Sequence, residues 1–164
     1  MLLKMTKPHA SSRGAAVAAI AAALLCACTP TPPSGRGLDK DALDAAIGRA
    51  IGDPTTCVLL ADRVSGQVVY QYGDPFNCAR PMPACDTAGT MNDKDALKTA
   101  ARPGGRMVSC NSVPDGSRTV GWASGRVQSQ KRDLVYAAVM EGQRALPGQE
   151  MSARLDGAFS QAGL

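Results

Sequence analysis

Cys57-Val-Leu-Leu-Ala-Asp-Arg-Val64 and Gln67-Val-Val-Tyr-Gln-Tyr72 are two runs rich in β-branched, aliphatic and aromatic residues, separated only by Ser65-Gly66. Short apolar runs bounded by turn residues form strands, and a Ser-Gly pair between them supplies a tight turn, so this stretch predicts a β-hairpin. Arg106-Met-Val-Ser-Cys110, Thr119 to Gln128 and Asp133 to Met140 predict three more strands, set apart by Gly, Pro, Asp and Ser. Before the hairpin, Asp39 is placed to cap a helix running to about Ile51, with Leu43, Ala46, Ile47, Ala50 and Ile51 on one face. Gly52, Asp53 and Pro54 end it. After the last strand, Gln149 to Ala162 predicts a second helix, its apolar stripe made by Met151, Leu155 and Phe159. Gly73 to Thr90 reads as a loop rich in Pro, Gly and Cys, and Asp93 to Ala101 as a short helix. The order helix, two strands, insertion, three strands, helix predicts an α+β fold: a five-stranded antiparallel sheet flanked by N- and C-terminal helices.

Upstream of this domain the composition changes. Lys4, Lys7 and Arg13 occur with no acid, and an apolar run from Ala15 to Leu25 leads to Leu25-Cys26-Ala27-Cys28. This is the order of a secretory signal, and the run is shorter than the roughly 20 residues that span a bilayer. The final four residues resemble the lipobox of bacterial lipoproteins. The resemblance implies a signal peptide over residues 1–27, cleavage before Cys28 and acylation of the Cys28 thiol. Thr29, standing where an Asp would retain a lipoprotein at the inner membrane, implies the outer membrane. Residues 28–37, with Thr29-Pro-Thr-Pro-Pro-Ser-Gly-Arg-Gly37, then form a semi-rigid tether, and residues 38–164 one domain.

The remaining composition excludes several chemistries. Three of the 18 basic residues lie in the leader, leaving 15 against 14 acids, so no nucleic-acid partner is expected. His9, the one histidine, also lies there. A mature chain without histidine has no Ser-His-Asp triad, no Cys-His pair and no His-ligated metal, and no cofactor is expected. Cys57, Cys78, Cys85 and Cys110 remain in an exported chain, where two disulfides are the expectation and three connectivities are open. The spacings of 21, 7 and 25 contain no Cys-x-x-Cys hook for zinc. Trp122, Tyr70, Tyr72 and Tyr136 lie on predicted strands and read as packing residues. Asp93 and Asp95 read as the acidic start of a helix, where carboxylates suit the dipole.

Several strings resemble the penicillin-recognising serine hydrolases, and most closely the class D β-lactamases. Thr56-Cys-Val-Leu-Leu-Ala-Asp62 followed by Ser65-Gly66 is similar to the family's opening strand and hairpin. Arg80-Pro-Met-Pro-Ala-Cys-Asp-Thr-Ala88 is similar to its Arg-x-x-Pro-Ala-Ser-Thr-Phe-Lys segment, and Val120-Gly-Trp-Ala-Ser-Gly-Arg126 to its Gly-Trp strand, so the resemblance covers residues 38–164. The departures are chemical. Ser-x-x-Lys, in which the Lys takes the serine proton, is replaced at Cys85 and Ala88. The Lys-Thr-Gly triplet is replaced around Ser109-Cys110-Asn111, and only twenty residues separate Cys85 from Arg106, where the family inserts a helical domain.

The resemblance places the nucleophile segment beside the Lys-Thr-Gly strand, which implies a Cys85–Cys110 disulfide. Cysteines that related hydrolases carry at the places of Cys57 and Cys78 imply that these two pair. Pairing of Cys78 with Cys85 is the rival. The function implied is a non-catalytic cell-envelope lipoprotein, lipid-anchored through Cys28, that binds a cell-wall or envelope-protein partner through a sheet face bared by loss of the helical domain. The alternatives are a cysteine-dependent acyl hydrolase or penicillin-binding protein using Cys85, its thiol activated by Arg80 or Arg106, and a decayed fragment without function.

Overall fold

A computed structural model describes residues 37–164 except Gln130. The leader, Cys28 and nearly all of the tether lie outside the described residues. Helix α1 (Lys40–Ile51) begins at the Asp39 cap, whose carboxylate accepts from the Ala42 N–H at 2.9 Å. Strands β1 (Cys57–Asp62) and β2 (Val68–Tyr72) form the hairpin, and β5 (Arg106–Asn111), β6 (Thr119–Arg126) and β7 (Leu134–Gly142) complete the sheet before helix α4 (Gly148–Gln161). Every strand pairing is antiparallel and the order is β2-β1-β7-β6-β5. The predicted α+β fold is therefore present, with its five strands and its two terminal helices.

The three central strands, β1, β7 and β6, are buried on both faces of the sheet. Val58 and Leu60 point into one core with Leu43 and Ile47 of α1 and Met151, Leu155 and Phe159 of α4. Cys57, Leu59 and Ala61 point into a second core with Trp122 and Val139. A strand covered on both faces loses the polar half of its alternation, which is why β1 reads as a continuous apolar run. Both terminal helices occupy one face.

The second face is not bare, contrary to expectation, and the supposed loop at Gly73 to Thr90 is partly ordered. It contains a short helix, α2 (Pro75–Ala79), and the paired two-residue strands β3 (Met82–Pro83) and β4 (Thr90–Met91). With α3 (Asp93–Thr99) these bury Cys78, Met82, Met91, Ala96 and Leu97 against the sheet. The Pro content that argued for a loop serves these short elements: Pro75 starts α2, where a missing N–H costs nothing.

Close approach of α4 to the sheet depends on glycine. The Gly148 N–H donates to Ser109 Oγ at 2.8 Å, and a Cβ on Gly148 would overlap the Trp122 carbonyl and the Val108 backbone.

Candidate functional site

The segment that resembles the nucleophile region lies between β3 and β4, on the second face of the sheet. Residues 85–89 form bends with no helical turn. Cys85 and Ala88 are thus not one helical turn apart, and Ala88 is exposed. Cys85 is half-buried and bonded to Cys110 on β5, with Cα atoms 5.4 Å apart; a second disulfide joins Cys57 on β1 to Cys78 on α2, Cα to Cα 5.2 Å. All four cysteines are consumed, so no thiol among the described residues is available as a nucleophile or a metal ligand.

The two arginines considered as thiol activators are engaged elsewhere. Arg106 Nη2 donates to the Ala84 carbonyl and to the Asp86 carboxylate, clamping the residues on either side of Cys85. Arg80 Nη2 donates to Glu141 Oε2 at 2.8 Å. Glu141 is the centre of a network that the sequence did not disclose. Arg118 grips it through two bonds of 2.8 and 2.7 Å, and Ser112 Oγ donates to it at 2.7 Å. Its side chain is only 6% exposed. The Arg118 guanidinium, aided by Ser112 and Arg80, outweighs burial and holds the carboxyl down at about 2. Glu141 is therefore an anion throughout the neutral range and is fitted to hold structure, not to carry protons.

The hydroxyls offer no engine either. Ser109 Oγ is spent on α4, and Ser112 Oγ on Glu141. Ser124 is 2% exposed and its Oγ has no partner among the described residues; it lies opposite Arg106 across the β5–β6 pairing. No lysine or carboxylate hydrogen-bonds it to serve as a base. A cleft of about 450 Å³ is lined by Ser124 together with Gly105, Met107, Tyr136, Ser152 and Asp156 among others. Tyr136 Oη and Ser152 Oγ share a hydrogen bond of 2.8 Å there. Burial raises the Tyr136 hydroxyl, and it also raises the Asp156 carboxyl. A phenol raised above its ordinary value keeps its proton at neutral pH and is not available to take one from its serine partner.

The other singled-out residues have structural roles. Trp122 is 1% exposed and its Nε1–H donates to the Pro83 carbonyl at 2.8 Å, fastening β3 to the sheet. Tyr70 is buried with its hydroxyl on Asp44 at 2.7 Å, and Tyr72 packs against the first core. Asp95 closes a capping box with Asn92, and a hydrogen bond from Lys98 is the main cause of its lowered pKa. Asp93 departs from expectation. It is 0% exposed, Oδ2 lies 3.0 Å from Cys57 Sγ, and burial pushes its carboxyl well above the ordinary value. Burial therefore favours the uncharged carboxyl, which gives the helix dipole no charge to act on.

No protein-family profile, curated protein or solved structure matches this chain.

Proposed function

We propose that the chain is a non-catalytic lipoprotein of the bacterial cell envelope, anchored through Cys28 with the outer membrane favoured, carrying a degenerate domain akin to the penicillin-recognising serine hydrolases. The supporting observation is the state of Cys85. The residue at the nucleophile position is bonded to the strand that corresponds to the Lys-Thr-Gly strand, and Ala88, at the base position, has no proton acceptor. A general base contributes roughly 10² to 10⁴ in rate, but only to a nucleophile that is free to attack. On this reading the former catalytic centre is a cross-link, and the domain serves to bind a cell-wall or envelope-protein partner. A bare sheet face is not the docking surface, because α2, α3 and the β3–β4 pair cover it.

Fractionation of cells expressing wild type and Cys28→Ser, followed by incubation of the detergent-extracted proteins with a fluorescent penicillin, tests both halves. Wild type should fractionate with the membrane, Cys28→Ser should not, and neither should carry an adduct by intact mass. A soluble wild-type protein refutes the anchor. An adduct that disappears in Cys85→Ala refutes the non-catalytic reading.

A further inference from the structure

The two disulfides occupy different physical settings. Cys57 and Cys78 are 0% and 3% exposed, on a strand and a helix. Cys85 and Cys110 are half-buried, and Cys110 lies on β5, the last strand of the sheet. Among the described residues, Cys85 alone of the non-glycines has a positive φ, at 72°. The Asp86 N–H donates to the Ala84 carbonyl at 3.0 Å, closing a three-residue γ-turn with Cys85 at its centre. The positive-φ form of that turn is rare and strained, and such a conformation persists only where its surroundings over-determine it. Here the surroundings are the bond to Cys110 and the Arg106 clamp on Ala84 and Asp86.

We infer that Cys85–Cys110 is a site of thiol–disulfide exchange, opened by small-molecule thiols while Cys57–Cys78 stays closed. A thiolate attacks Cys110 Sγ, forming a mixed disulfide there. The Cys85–Cys110 bond breaks, its electron pair goes to Cys85 Sγ, and the Cys85 thiolate takes a proton from water. A second thiolate attacks the small-molecule sulfur of the mixed disulfide and expels Cys110, which is protonated in turn. One protein disulfide is thereby reduced to two thiols as two small thiols are oxidised to one disulfide. Cys85 is the leaving sulfur because its release lets the backbone abandon the positive φ.

This inference does not depend on the lipid anchor or on the family resemblance. Its test uses the oxidised, folded protein in glutathione buffers of graded ratio, with acid quenching, alkylation and peptide mapping. Cys85 and Cys110 should be trapped as thiols at ratios that leave Cys57 and Cys78 oxidised, with an equilibrium constant for reduction at least about 10-fold greater. The glutathione adduct should sit on Cys110. Emission of Trp122, the one tryptophan, should change with the same midpoint, because its hydrogen bond to Pro83 lies beside the turn. Opening of Cys57–Cys78 first, simultaneous opening with loss of far-ultraviolet circular dichroism, or an adduct confined to Cys85 would each overturn the inference.

Discussion

Asp93→Asn should stabilise the protein at neutral pH and flatten part of its pH dependence. Asp93 is the first residue of α3, fully buried, and its Oδ1 has no partner among the described residues. Its Oδ2 approaches Cys57 Sγ at 3.0 Å. That sulfur is bonded to Cys78 and carries no hydrogen, so the carboxyl is the only possible donor, and it donates only when protonated. Burial raises its pKa, so the native state keeps a proton that the unfolded chain, with a value near 3.8, gives up. The contribution is present in full below the unfolded value and is lost as pH rises through the folded one. Between the two, the free energy of unfolding falls by about 1.4 kcal/mol per pH unit. The amide of Asp93→Asn has nearly the same shape, donates to the same sulfur and has no proton to lose. Urea unfolding of both oxidised proteins from about pH 4 to pH 8 measures the difference, which should grow with pH in favour of the variant. Parallel curves, or a wild type that gains on the variant as pH rises, would refute the raised Asp93 carboxyl.

Glu141→Gln should destabilise the fold by about 2–4 kcal/mol, because it strips the anion from two arginines that are themselves only partly exposed. The wild type should lose stability as pH falls from 4.5 toward about 2, and Glu141→Gln should lack that loss when both are unfolded in urea at low pH. Gly148→Ala should cost about 1–3 kcal/mol or more, since its methyl group meets the backbone of β5 and β6. In the same helix Gly157→Ala, with nothing within 4 Å of the new carbon, should gain about 0.5–1 kcal/mol, and thermal melts of the pair test the contrast.

The architecture was legible wherever burial is periodic. The Met151, Leu155 and Phe159 stripe marks the buried face of α4, and the Asp39 cap marks the start of α1 within a residue. The hairpin was legible through its turn. Asp62 accepts from the Ser65 N–H at 2.8 Å and Gly66 takes a φ of 69°, both local preferences of those residue types. What stayed hidden depends on contacts distant in sequence. Nothing near Glu141 announces Arg80 and Arg118, 61 and 23 residues away. Asp93 sits in an acidic helix start that resembles any solvated one, and only packing against Cys57 sets it apart from Asp95. Periods of 3.6 or 2 do not develop in pieces as short as α2 or the β3–β4 pair, so the layer between Gly73 and Thr90 carried no pattern to read.

That short layer explains why cross-links concentrate on one face. The first core is closed by helices of 12 and 14 residues, long enough to lay continuous apolar stripes on the sheet. The second is closed by helices of five and seven residues and a pair of two-residue strands, none of which is stable alone. Both disulfides fall on this second face. Cys57–Cys78 ties α2 to β1, and Cys85–Cys110 ties the β3–β4 turn to β5. Closing loops with separations of 21 and 25 residues stabilises each tie by about 3 kcal/mol in the chain-entropy model. The Trp122 bond to Pro83 and the Arg106 clamp add polar fastenings at the same place. The two faces therefore differ in how they respond to reductant. Opening Cys85–Cys110 loosens the β3–β4 turn while α1, α4 and the first core, which contain no cysteine, keep the sheet folded. A local opening of this kind is what allows exchange at Cys85 and Cys110 to proceed without global unfolding.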